Sequence, residues 1–272
     1  MISSSAAVYE FSTLALVAVF GTVLFSRLRT ADYAIPAALL IAVFCVAQPA
    51  YAHAVSGFHA VLFAISMYAM CAAATAFVRK QDPRRTVLLG GSLAGAQLIH
   101  PMCAAASIAL PFALRRSLVT EDARGTVGAI VSVLFIPALA AIGSLYLLSQ
   151  NLSVLRWPIS KAFPDQGSIL GSIEAASGIL PLLAVLALRS APSRSIIGVL
   201  CVIAAAASLV SAIIGGQEYA LQSSAAAGTL LAYLISEWPS DTKRAGLAVG
   251  AAVSNFVVAW LLAFELAGPG NV

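Results

Sequence analysis

The sequence predicts an all-α fold: a polytopic transmembrane bundle of about eight spans plus one short hairpin, with the N- and C-termini outside. Three observations predict it. The 272 residues are 61% hydrophobic and only 10% charged, against about 25% charged in a soluble domain. Apolar runs reach the roughly 20 residues that cross a bilayer. Thirteen of the fifteen Lys and Arg residues fall into short clusters that can all lie on one side of a membrane, the side that basic loops keep. The chain reads as a single integral membrane domain over residues 1–272.

The first apolar run, residues 11–25, ends at Arg27 and Arg29. These stay cytoplasmic, so the N-terminus with Glu10 lies outside. A second run, 33–46, goes out to a polar, aromatic turn with Gln48, Pro49, Tyr51 and His53. The third, 59–77, returns to the basic loop Arg79-Lys80-Gln81-Asp82-Pro83-Arg84-Arg85. The N-terminus has no basic region of a secretory signal, and Ala50-Tyr51-Ala52, which mimics a cleavage site, lies too far along the chain.

Residues 86–114 carry the strongest constraint. Basic clusters bound them at both ends, Arg84-Arg85 and Arg115-Arg116, so an even number of crossings must lie between. The middle reads His100-Pro101, and proline removes a helix hydrogen bond and crowds the preceding turn. Two helices of about 14 residues, roughly 21 Å each, then form a short hairpin turning at His100. Beyond it, 127–148 goes out, 150–166 is an external loop, 169–188 returns to Arg189 and Arg194, and 196–214 goes out again. Gly215-Gly216-Gln217-Glu218 is a tight outer turn. Residues 219–235 return, and 247–267 leave the C-terminus outside.

The net charge of +4 is spread over these loops, which argues for topology and weak attraction to anionic lipid and does not indicate nucleic-acid binding, so no nucleic-acid partner is expected. Cys45, Cys71, Cys103 and Cys201 lie in apolar runs without a Cys-x-x-Cys spacing and read as buried thiols. His53, His59 and His100 lack ligand spacing, so no metal and no cofactor is expected. Frequent alanines permit close helix contact in lipid and carry no functional weight.

Six carboxylates, Asp32, Asp82, Glu121, Asp122, Glu237 and Asp241, accompany basic residues and read as solvated loop charge. Glu10, Asp165, Glu174, Glu218 and Glu265 map to the outer half. A carboxylate within a span is a candidate site by default, and Glu174, one to two turns into an apolar helix, is the strongest. His100 at the hairpin tip reads as a polar lining residue. Arg156 and Lys161 run against the positive-inside trend, which an anionic group at the outer face would explain. Glu218 and His53 complete the candidate binding residues, with membrane lipid as the first partner.

The segment 37–116 resembles the transmembrane core of the GT-C glycosyltransferases. The resemblance lies in an ordered series: the outer turn Ala47-Gln48-Pro49-Ala50-Tyr51-Ala52-His53, a returning helix, the basic loop 79–85, and then Leu88-Leu89-Gly90-Gly91-Ser92-Leu93-Ala94-Gly95-Ala96-Gln97-Leu98-Ile99-His100-Pro101 up to Arg115-Arg116. Ile99-His100-Pro101 stands where the family has a Thr-Arg-Pro-like turn. The resemblance implies a multi-pass protein of the bacterial inner (cytoplasmic) membrane that handles a polyprenyl-phosphate sugar at the outer face. It also implies a catalytic acid in a first external loop, which this chain does not show before Phe11. Either Glu10 substitutes as the base, or the chain is a non-catalytic subunit working with other membrane subunits, or another chain supplies the missing part. A small-solute or lipid transporter, with Glu174 and the hairpin lining a pathway, is the alternative.

Overall fold

In a computed structural model, the residues described are 2–52, 54–99, 103, 109–111, 114–115, 117–119, 123–149, 196, 217–237 and 242–267. They are helical, with no strand among them. The helices are α1 (Ile2–Thr30), α2 (Ile35–Val46), α3 (Ala54–Arg79), α4 (Pro83–Ile99), α5 (Ala123–Ile130), α6 (Ile136–Ser149), α7 (Gln217–Ser236) and α8 (Thr242–Ala267). A 3-10 turn, Pro49–Ala52, joins α2 to α3, and a π-helical segment, Val131–Phe135, joins α5 to α6. Three helices among the described residues are long and apolar enough to cross a membrane: Ala7–Thr30, Gly57–Arg79 and Arg124–Gly143. The runs 169–188 and 196–214 lie outside the described residues, apart from Ile196, as does the turn at His100-Pro101. The hairpin's first arm is α4, which stops at Ile99, directly before that pair in the sequence.

The chain packs as two compact units, whose boundary falls inside α3 between Ile65 and Ser66. In the first unit, α7 is central. Every residue from Ala225 to Ser236 is buried, as expected of a helix that is apolar all round. Helices α1, α2 and α8 surround it. Its Ala225-Ala226-Ala227-Gly228 run lets α2 approach closely, since a side chain at Gly228 would meet Cys45 O at 3.0 Å. Its two buried hydroxyls bond within the helix, Thr229 to Ala225 O and Ser236 to Tyr233 O, so neither is left unsatisfied.

The chain alternates direction through this unit. Helix α1 ends in a Schellman turn, with Tyr33 N–H on Leu28 O (3.2 Å) and Asp32 N–H on Arg29 O (3.1 Å). Asp32 takes the left-handed conformation this motif requires, φ 64°, which a short polar side chain tolerates better than a branched one. Tyr33 and Leu28 bury fully, and the Tyr33 hydroxyl reaches Ile235 O at 3.4 Å. The C-terminal ends of α1 and α7 therefore meet at the start of α2.

Arg27 closes that end on Glu237 at 2.7 Å, and the Glu237 side chain is only 2% exposed against 41% for Arg27. Glu237 is therefore a buried ion-pair partner rather than the solvated loop charge expected.

In the second unit, α4 packs on the α5–π–α6 segment. Pro137 has no N–H, and its ring crowds the turn before it. The backbone widens there, with Ile136 N–H bonding Val131 O. Gly90 sits directly against this widened turn, so that a Cβ on it would lie 2.1 Å from Ser132 O. Buried Leu89, Gly90, Leu93, Ala96 and Gln97 form the packed face of α4.

Two outcomes follow from this packing. Gly90→Ala should lower stability by about 1–3 kcal/mol through overpacking against backbone, whereas Gly91→Ala, with nothing within 4 Å, should stay within about 0.5 kcal/mol of the parent. Thermal unfolding in detergent measures both. Arg27→Met should lower stability by about 1–3 kcal/mol, because it removes the 2.7 Å ion-pair partner of the buried Glu237 side chain. Glu237→Gln, which leaves a half-exposed guanidinium that can reach water, should cost clearly less in the same assay.

Candidate functional site

The densest buried polar cluster among the described residues forms where α2 stops. Helix α2 has 12 residues, about 18 Å at 1.5 Å rise. Its neighbours α1 and α8 have 29 and 26 residues, about 43 and 39 Å. Since α2 starts at the Arg27 end, it stops partway along the bundle, short of a roughly 30 Å apolar core. Its last carbonyls then face an apolar interior without the next helical turn to satisfy them.

The sequence meets this demand locally. Ala47 N–H bonds Val43 O (2.7 Å) and Gln48 N–H bonds Val46 O (2.8 Å). The residue after Gln48 is Pro49, which has no N–H to offer Cys45 O. The Gln48 side chain substitutes for it, with Nε2 donating to Phe44 O at 3.2 Å and Cys45 O at 3.4 Å. The same nitrogen donates to Asn255 Oδ1 on α8 at 3.0 Å. Two hydrogens serve three acceptors, so one is shared between the adjacent carbonyls. Ala47 O accepts from Trp260 Nε1 at 3.1 Å. Phe44 and Phe256 meet edge to face at 5.1 Å, and Phe256 adjoins Trp260 at 6.0 Å.

Gln48 is 4% exposed and Asn255 fully buried. The floor of the cluster is Gly228, where a Cβ would lie 2.7 Å from Asn255 Oδ1 and 3.0 Å from Gln48 Nε2. Only glycine lets the amide pair lie across α7. Two polar atoms here remain open. Gln48 Oε1 is buried without a hydrogen-bond partner, and the buried Tyr51 hydroxyl makes no bond of normal geometry, although Thr229 lies beside it. The 3-10 turn carrying Tyr51 folds back on α3, with Tyr51 O 2.7 Å from where a Gly57 Cβ would be. Ala50 packs on Ala60 and Ala225 below it. Tyr9 of α1 packs on Phe58 of α3 at 5.6 Å, and His59 is buried.

The residues singled out in the sequence fall differently. Glu10 is exposed on α1. Glu218 lies in the first turn of α7. His53, His100, Arg156, Lys161 and Glu174 lie outside the described residues. Gln48 and Tyr51 are visible in the sequence as an outer-turn pair. Asn255 and Gly228 are not, because nothing local marks a partner 207 residues away. The usable signal is Asn255 itself, an uncharged amide inside an apolar helix, which needs a partner in lipid. Cys45, Cys71 and Cys103 are buried thiols in no disulfide among the described residues, as expected. No group of His, Cys, Asp or Glu among the described residues is arranged to hold a metal ion. No family model, curated protein or solved structure matches the chain.

The amide pair generates a double-mutant test. Gln48→Leu should destabilise by about 2–3 kcal/mol, since it removes the Asn255 bond and also uncovers two buried carbonyls. Asn255→Leu should cost less, about 1 kcal/mol. The coupling between the two, read from chemical unfolding in micelles, should fall near 0.6–1.7 kcal/mol, the range of interhelical polar pairs in membranes.

Proposed function

We propose that the chain is a GT-C-like protein of the bacterial inner membrane, with about eight spans, one short hairpin and both termini outside. Its role is to bind a polyprenyl-phosphate-linked sugar at the outer face as a non-catalytic subunit of a larger membrane complex. The observation that carries this reading is the pair of open polar atoms, Gln48 Oε1 and the Tyr51 hydroxyl, at the buried end of α2. One is an acceptor and the other a donor. A sugar hydroxyl donates and accepts, so it has the chemistry to meet either. A bare cation fits less well, because the carbonyls from Val43 to Ala47 already accept hydrogen bonds.

The groups around this node are amides and hydroxyls, which recognise a ligand without moving protons. Glu10, the one candidate base, is exposed on α1, and this favours the binding role over the catalytic one. In this reading Arg156 and Lys161, which lie outside the described residues, remain the sequence's candidates for the carrier phosphate. The transporter reading draws on the same node, since a helix that stops partway across a bundle, beside polar side chains, is how many transporters build a site.

The test uses the full chain in lipid nanodiscs and a polyprenyl-phosphate hexose, with the sugar-free polyprenyl phosphate as reference. The sugar should tighten binding about tenfold, and Tyr51→Phe, which keeps the ring and removes the hydroxyl, should erase most of that gain. Equal binding of both lipids would overturn the reading. Hexose flux into proteoliposomes, lost in Tyr51→Phe, would replace it with the transporter. Sugar transfer by the purified chain, lost in Glu10→Gln, would replace it with an enzyme.

A further inference from the structure

The corner between α3 and α4, in the second unit, carries four cations and one carboxylate over residues 79–85. The carboxylate is engaged within the corner on both oxygens. Asp82 caps α4, taking Arg85 N–H on Oδ1 at 2.9 Å, while Thr86 N–H bonds Asp82 O at 3.0 Å. Pro83 fills the first helical position, where its missing N–H costs nothing. Arg85 is committed inward as well, with Nε 3.4 Å from Asp82 Oδ2 and Nη1 donating to Ala76 O at 2.8 Å. Arg85 and Asp82 thus cancel, and the exposed Arg79, Lys80 and Arg84 set the outward charge, with Lys80 and Arg84 flanking the start of α4.

Helix α4 continues this charged corner as a stripe. Arg84, Val87 and Leu88 stand at i, i+3 and i+4, one face of a helix. Val87 and Leu88 are 63% and 58% exposed, while the opposite face, Leu89, Gly90 and Leu93, is buried against the unit. The same face carries exposed Leu98 three turns on. A cationic start followed by an exposed apolar track has the order of a phospholipid, headgroup first and hydrocarbon after. A soluble anion would leave the apolar track uncovered, and an apolar helix alone would leave the cations unmatched.

We propose that this corner is a binding site for an anionic phospholipid, with Lys80 and Arg84 on the headgroup phosphate and Val87 and Leu88 along its acyl chain. The site is independent of the sugar-binding node. Arg85 is a structural strut in it, and Lys80 and Arg84 are the ligand contacts.

Native mass spectrometry of the full chain, released from micelles containing phosphatidylglycerol or phosphatidylcholine, reads the bound lipid directly. Phosphatidylglycerol should be retained and phosphatidylcholine should not. Each basic residue near a lipid surface is worth about fivefold, so Lys80→Gln with Arg84→Gln should weaken retention about thirtyfold. Lys80→Gln alone should weaken it about fivefold, and Lys80→Arg with Arg84→Lys should restore it. Millimolar inorganic phosphate should not displace the lipid. Equal retention of both lipids, retention unchanged in the double variant, or displacement by inorganic phosphate would each overturn the proposal.

Discussion

A helix that ends inside an apolar bundle must find donors for its last carbonyls, and the first unit is organised around that demand at the end of α2. Water satisfies such groups at a protein surface, but the interior offers only side chains. Pro49 makes the demand sharper by removing the backbone donor that would ordinarily close the turn. Gln48 answers with its side-chain amide, and Trp260 and Asn255 of α8 take up what remains. One local backbone problem thereby fixes how α2, α7 and α8 are placed: the amide must pass over Gly228, and no larger residue leaves room for it.

The two ends of the unit solve burial of polarity with different chemistry. At the Arg27 end the pair is ionic, and one member keeps partial contact with its surroundings. At the Gln48 end the groups are neutral, and Gln48, Thr229 and Asn255 are buried. The difference follows from cost. A charge withdrawn from water must be matched by an opposite charge and still carries a desolvation penalty. An amide needs only hydrogen bonds. The neutral cluster can therefore sit well inside the bundle, where an ion pair would be unfavourable, and there one acceptor, Gln48 Oε1, is left without a bond.

Much of the helical layout was legible because it depends on local signals. Residues 11–25 are the centre of α1, 33–46 becomes α2 from Ile35, and 219–235 and 247–267 become α7 and α8 with slightly earlier starts. The basic residues that delimit these runs also cap or flank the helices. Asp32 was legible as a loop residue but not as the left-handed link of a Schellman turn. Within the run 127–148 hydropathy alone does not mark Pro137, whose missing N–H disturbs the ladder, and the π-helical segment is that disturbance. The node itself was only half legible. Gln48 and Tyr51 are neighbours in sequence, whereas Asn255 and Gly228 join them through helix packing that no short-range pattern encodes. Glu237 shows the same limit from the other side: beside Asp241, Lys243 and Arg244 it looks solvated, and only the return of α7 to the end of α1 buries it.

Glycine placement shows how the close approaches were selected. Gly90, Gly57 and Gly228 each face a backbone or amide oxygen within 3 Å of where a side chain would begin, while Gly91, Gly95, Gly246 and Gly250 face open space. The first three each lie where a backbone departs from simple helix on the facing side: the π segment at Ser132, the 3-10 turn at Tyr51, and the last turn of α2 at Cys45. An irregular backbone in an apolar setting protrudes and carries carbonyls that need shielding. A glycine opposite it admits the protrusion and lets the neighbouring helix exclude other contacts. The irregular turns and the tight glycines are thus one feature seen from two sides, and Gln48 Oε1 and the Tyr51 hydroxyl are left open at one such junction.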